Sequence, residues 1–549
     1  MYSSMICELK KGQSWRQRIV ACFFLLNICC YAQTVPSIQW AKYYGGSNDE
    51  EANCIVQIKD SGYIVAGWSN SIDDDITGHH GGDTTEDAWI VKLDKSGTIK
   101  WERSIGGSHS DYANAIRQTR DGGYIMAGQS VSTDGDVARS YVNGGYWLVK
   151  LDSSGAIQWS KCYGGRPEDV AQSIQQTSDG GYIAAGTCWD NLGDVTGNHG
   201  GTDYWVVKFN DTGSIQWEKS LGGSGNDNAR SIEQTHDGGY IVVGESHSSD
   251  GEVVRDGDSG SVWIVKLSDT GAVQWQKVLG CDGHEVASRI HQTSDNGYII
   301  AAMADSNGGD VLDHHGLSGI YSYDYWIIKL DSSGALLWEK CYGGSGDDDA
   351  SDIQQTKDNG YIVTGTSDSR DGDVTGGTGY GNYWMLKIDT QGGIQWEETL
   401  GGIGDGEVAQ SVQQTYEGGY IVAGMSGSNS YTSTGFHGGN EDYWIVKFAS
   451  DTITEIEETT SIPSLMSLWN FPNPASKAIT IYYNFSIEQN IALGIYDLYG
   501  RLIAPLENGL IAEGSHILKY DCSQLPSGLY FIRLQIPGEI LSKQLMVVH

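Results

Sequence analysis

Between positions 305 and 324 the chain gathers Asp305, Asp310, Asp313, His314, His315, Tyr321, Tyr323 and Asp324. Carboxylates, imidazoles and phenols at this density can ligate a cation, hold a polar ligand or move a proton. The segment also interrupts a pattern. Gly-Tyr-Ile recurs from Gly62, Gly123, Gly181, Gly239, Gly297, Gly360 and Gly419, and the interval from Gly297 to Gly360 is the longest. Trp68 and Trp189 occupy equivalent places in other units without being shared by all of them. These ten residues form the candidate ligand site, with simple loop drift as the competing explanation.

Other chemistry is repeated, and repetition disperses groups that a catalyst must converge. Gly-x-Ser at Gly128, Gly244, Gly365 and Gly424 lacks the following glycine of a nucleophile elbow, so no catalytic residue is assigned. His80, His199, His315 and His437 recur in alternate units, each followed by Asp87, Asp203, Asp324 or Asp442. Units that far apart cannot share one ion, and each histidine is expected to hold its own loop. Asp-x-Asp pairs resemble pieces of calcium loops without the twelve-residue spacing or the terminal Glu. Calcium is therefore the one ion offered, and no other cofactor is expected.

The elements that must position these groups are short strands. In Ala171 to Lys219 an alternating strand a leads through Ser-Asp-Gly-Gly into the apolar strand b. Strand c places Trp205, Val207 and Phe209 on one face, and strand d keeps a polar row. One tryptophan on c and one on d recur in every unit, which marks them as packing between neighbours. A period of about 60 residues with several strands and no helix signal points to a propeller. Residues 37–44 read as a strand d without its own blade, whereas the last unit stops at strand c. Together they complete a seventh blade and close a ring over 33–449; an open superhelical stack is the alternative. The a–b and c–d turns then share one face, and the variable, acidic b–c and d–a loops share the other.

The whole chain carries −36, of which about −34 falls on 33–449. Such a field repels nucleic acid and anionic membranes. Residues 1–32 read as a signal peptide, basic and then apolar, ending Tyr31-Ala32. Of ten cysteines four lie there, and the remaining six show no CxxC, which favours buried thiols over a disulfide framework. Residues 450–470 read as a linker, and beyond them alternating strands suggest a small Ig-like β-sandwich.

Residues 471–549 contain Phe471-Pro472-Asn473-Pro474-Ala475, then Ile495-Tyr496-Asp497-Leu498-Tyr499-Gly500-Arg501, then Leu525 to Leu534 with Gly528 and Tyr530, then Lys543-Gln544-Leu545. This ordered set resembles the type A C-terminal sorting domain of Bacteroidetes proteins exported by type IX secretion. The resemblance implies Asn473, Pro474, Gly500, Gly528, Tyr530 and Lys543 as the sorting motif and the type IX machinery as a partner. It also implies display on the outer surface or release, with attachment to surface lipopolysaccharide. The repeats, as in Lys329 to Trp338, are similar to quinoprotein-type propeller repeats, a likeness to a scaffold. The expectation is a monomeric, non-catalytic propeller that binds or adheres to an extracellular protein or glycan. An extracellular polysaccharide hydrolase or lyase on the same scaffold is the alternative.

Overall fold

The structure is a computed structural model. It describes residues 35–137, 145–253, 260–281, 283–316, 322–402, 406–427 and 435–450, and in the C-terminal part 467–471, 475, 477–485, 489–497, 501–512, 514–523, 525–536 and 539–548. The signal-peptide assignment, and Tyr321, Asn473, Pro474 and Gly500, lie outside the described residues. The chain divides into two compact units, Met1–Thr454 and Glu455–His549.

The first unit is seven four-stranded antiparallel sheets. Six are continuous in sequence, over 50–105, 111–163, 170–221, 227–279, 285–342 and 348–400. The seventh takes its outer strand from the start of the chain: Ile38–Tyr44 pairs with Asp442–Phe448, with Trp40 opposite Lys447 and Tyr43 opposite Trp444. The closing joint repeats those that follow blades 3, 5 and 6. Tyr443 of blade 7 packs 4.6 Å from Trp89 of blade 1 and donates to its carbonyl at 2.9 Å, as Tyr383 does to Trp444. Blade 1 also reaches blade 7 through the Gln57 amide, which donates to Gln413 Oε1 at 2.6 Å. The ring is closed.

The core lies between blades. One apolar cluster joins Ile64, Ala66 and Ile90 of blade 1 to Ile116, Met126 and Trp147 of blade 2. Strands b and c are buried on both faces, which explains their apolar runs, whereas strand d is partly exposed along the outer edge. Each strand-d tryptophan meets the strand-b tyrosine of the next blade edge-on at 5.6–6.2 Å. Where the next blade is one of 1 to 6, it also lies against that blade's c–d turn: Gly97 has φ +73° and a Cβ would stand 3.1 Å from the Trp40 ring. Glycine there satisfies both the left-handed backbone and the close approach.

Strand a carries a β-bulge in every blade, and the extra residue turns inward. Asn53, Asn114, Gln172, Arg230, Ser288, Ser351 and Gln410 are those residues, and with Arg289 they line an axial cavity of about 250 Å3.

The second unit pairs a three-stranded sheet with a four-stranded one. Ile481, Ile495, Ile532, Leu534 and Leu545 form its core. Its first strand, Ser467–Phe471, lies partly in the stretch read as linker, because its backbone pairs with Ala478–Phe485. Leu502–Ile511 is an edge strand that sequence reading passed over, since Pro505, Asn508 and Gly509 look like turn residues. An edge position tolerates the proline. Gly528 pairs with Val547, Tyr530 donates to the Pro526 carbonyl at 2.9 Å, and Lys543 is exposed opposite Ile532.

Candidate functional site

The repeated histidines bind blades together. In each case the backbone N–H and Nδ1 meet one oxygen of the strand-c aspartate: His80 with Asp87, His199 with Asp203, His315 with Asp324 and His437 with Asp442, at 2.7–3.1 Å from Nδ1. Nε2 faces a carboxylate on the following blade, Asp136, Glu252, Asp373 or Asp75, at 3.5–3.9 Å. Each histidine therefore holds its own loop, as expected, and also spans a joint. The alternation breaks once: seven is odd, so closure makes His437 and His80 neighbours on blades 7 and 1.

The same aspartates turn their other oxygen, Oδ1, toward a second buried carboxylate that opens the next blade. A Cβ on Gly106 would stand 2.4 Å from Asp87 Oδ1 and 2.6 Å from Asp111 Oδ2. Gly222 stands likewise between Asp203 and Asp227, Gly343 between Asp324 and Asp348, and Gly45 between Asp442 and Glu50. Oδ1 of Asp87, Asp203, Asp324 and Asp442 is buried without a hydrogen-bond partner among the described residues. Burial pushes Asp203, Asp111 and Asp442 up to about 6, and Glu50 and Asp348 up to about 7. The strand-b serines end here, Ser69 donating to Glu50 and Ser367 to Asp348, so the Gly-x-Ser segments are structural.

The candidate loop of blade 5 divides. Asp324 and His315 belong to the joint just described, and His314 Nε2 meets the Ser322 carbonyl at 2.8 Å. Asp310 Oδ2 accepts from the Gly280 amide at 3.3 Å, while Asp313 is exposed with φ +58°. Asp305 and Tyr323 do converge, on a residue not anticipated: Asp305 Oδ1 accepts the His284 amide at 2.9 Å, and Tyr323 Oη lies 3.1 Å from His284 Nδ1. Trp68, on blade 1, donates to Glu51 and packs on Tyr112. Trp189, on blade 3, is 48% exposed. Among the described residues no contact joins either tryptophan to the blade 5 loop.

Sequence reading missed Glu245, His247 and His284. One donor atom from each lies within 4.8 Å of the other two. His284 Nε2 is 3.5 Å and His247 Nε2 3.9 Å from Glu245 Oε2, and the two imidazoles stack at 5.3 Å. The signal was present in the repeat: their counterparts are Gln129, Val131 and Ser110 in blade 2, and Thr366, Asp368 and Asp347 in blade 6.

A side cavity of about 350 Å3 lies where blades 3 and 4 meet and holds Glu218 and Glu252. Glu218 accepts from Thr196 and from Trp205 Nε1, and Glu102 and Glu397 repeat both contacts in blades 1 and 6. This carboxylate is scaffold.

A regulatory protein of Caulobacter vibrioides, FlaEY, is 23% identical over 398 residues, covering 65% of this chain, which spans about 40% of that protein's length. A fungal alcohol oxidase of the AA5 family solved with copper aligns at 11% identity and TM-score 0.41, over 94% of this chain and all of that one. An apocarotenoid oxygenase of Synechocystis aligns at 11% identity and TM-score 0.32, over 70% and 98%. Likenesses this low transfer no activity. Residues 470–548 match the family described as the secretion system C-terminal sorting domain. The chain thus carries a sorting domain that engages the type IX secretion machinery, and it is exported to the cell surface or extracellular space.

Proposed function

We propose that the exported propeller is a non-catalytic binding module that holds an extracellular glycan on its loop-rich face. The observation that carries this reading is how the groups on that face are used. Repeated carboxylates and histidines are committed to the joints, and large aromatic side chains are left exposed: Trp189 at 48% and Tyr380 at 56%. They stand on blades 3 and 6, each beside ionic groups. Arg166 pairs with Asp190, next to Trp189, and Arg370 lies over the Tyr380 ring. A protein partner would call for a contiguous apolar patch, whereas single aromatic faces with polar neighbours suit sugar rings.

A glycan array probed with the purified chain tests this. Trp189→Ala and Tyr380→Ala should each weaken binding at least tenfold and leave the melting temperature within about 2 °C of the parent. Unchanged binding in both variants contradicts the reading, and release of new reducing ends from a polysaccharide supports the hydrolase or lyase alternative. Lipopolysaccharide attachment, calcium binding and a monomeric state belong to the same proposal.

A further inference from the structure

We propose that Glu245, His247 and His284 bind one transition-metal dication of the zinc class. This goes beyond the glycan reading and stands or falls separately from it.

Two imidazoles and one carboxylate suit a borderline ion such as zinc, whose ligands sit about 2.0–2.2 Å from the metal. Donors around such an ion are roughly 3.3–3.5 Å apart. His284 Nε2 and Glu245 Oε2 are already at 3.5 Å, and His247 Nε2 is at 3.9 Å from the same oxygen. Small rotamer adjustments complete the set.

The surroundings hold these donors in place. Tyr323 Oη at His284 Nδ1 fixes the ring so that Nε2 points inward, and Asp305 anchors the His284 backbone. Glu245 Oε1 accepts from Asn228 Nδ2 at 3.1 Å and Arg230 Nη2 at 3.4 Å, which leaves Oε2 for the histidines. Gly260 makes the room: a Cβ there would stand 2.3 Å from His284 Cδ2 and 2.7 Å from His247 Cε1. The counterpart of Gly260 in blade 5 is Tyr323 itself. Three non-repeated donors on two blades, served by a glycine where the next blade has a tyrosine, contrast with the four repeated His–Asp joints. Both histidine side chains are 36% exposed, so an ion has a route in.

The test is calorimetric titration of zinc chloride into the EDTA-stripped full chain, with metal content measured by mass spectrometry. We expect one tight site per chain. Affinity should fall at least 100-fold in His247→Ala and in His284→Ala, and 10- to 100-fold in Tyr323→Phe. His315→Ala, which removes a joint histidine, should retain full affinity. Excess calcium should not compete, because it favours six to eight oxygen ligands. Melting curves identify a variant that fails to fold. A parent chain that binds zinc no better than millimolar overturns the proposal. So does a His284→Ala variant of parental affinity, or equal losses in His284→Ala and His315→Ala.

Discussion

Removing residues 37–44 should abolish cooperative folding of the propeller, or lower its stability by more than about 5 kcal/mol. The segment supplies the outer strand of blade 7, and without it Asp442–Phe448 becomes an unpaired edge. Tyr43 and Tyr44, both 4% exposed, would be lost from two cores, and losing a buried aromatic typically costs about 3–5 kcal/mol. Trp444 would lose its stacking partner Tyr43, and Lys42 and Tyr44 would no longer reach the carbonyl of Gly97 in blade 1. Deleting an equally long exposed segment should do far less. Thermal melts of the truncated chain, with and without a peptide spanning 35–44, check this. Restoration by the peptide is the expected result, and a parental melt of the truncated chain contradicts it.

The second large effect is on pH. At the joints between blades 1 and 2, 3 and 4, 5 and 6, and 7 and 1, burial holds carboxyl groups protonated to about pH 6 or 7. Unfolded, the same groups ionise near pH 4. Between those values the folded chain binds more protons, so the stability they confer is complete below about pH 4 and is lost as pH rises through 6 to 7. His199 acts in the same direction: burial opposes its charge, but Asp203 and Glu252 raise its pKa overall. Opposite behaviour sets a lower limit. Burial resists ionisation of Asp121, Asp179 and Asp237, yet a threonine hydroxyl and a lysine beside each bring them down to about 2. Their contribution is lost only as pH falls from about 4 toward 2.

The melting temperature should therefore rise by roughly 5 °C between pH 8 and pH 5. Asp324→Asn should shrink the rise, because an amide nitrogen in place of the unpartnered Oδ1 can donate to Asp348 without titrating. The joint between blades 6 and 7 already has this arrangement, Asn382 donating to Glu407 Oε2 at 3.4 Å. A melting temperature that is flat or higher at pH 8 contradicts the account.

Much of the architecture was legible in the sequence because it is repeated. Fourteen tryptophans at two fixed places defined the blades, and the unpaired strands at 37–44 and 443–448 defined closure. What repetition hides is where a side chain turns. The strand-a bulges direct Asn53 and Arg230 into the axis, yet nothing in an alternating strand announces the extra residue. The candidate site was half legible for a related reason. A long loop at 305–324 drew notice by its length, but His315 and Asp324 serve a joint and only Asp305 and Tyr323 converge on a further group. His247 and His284 replace single residues without changing any spacing, and only a column-by-column comparison of the seven units exposes them. Leu502–Ile511 escaped because Pro505 and Gly509 carry turn chemistry at an edge that can accommodate it.

The ring itself is tested most directly by a cysteine pair at Ala41→Cys and Val446→Cys, which face each other across the seventh sheet. Under mild oxidation the account predicts an intramolecular cross-link between peptides containing positions 41 and 446, with the melting temperature kept or raised. Free thiols at both positions, or cross-links only between molecules, would show that the first strand does not complete its own ring.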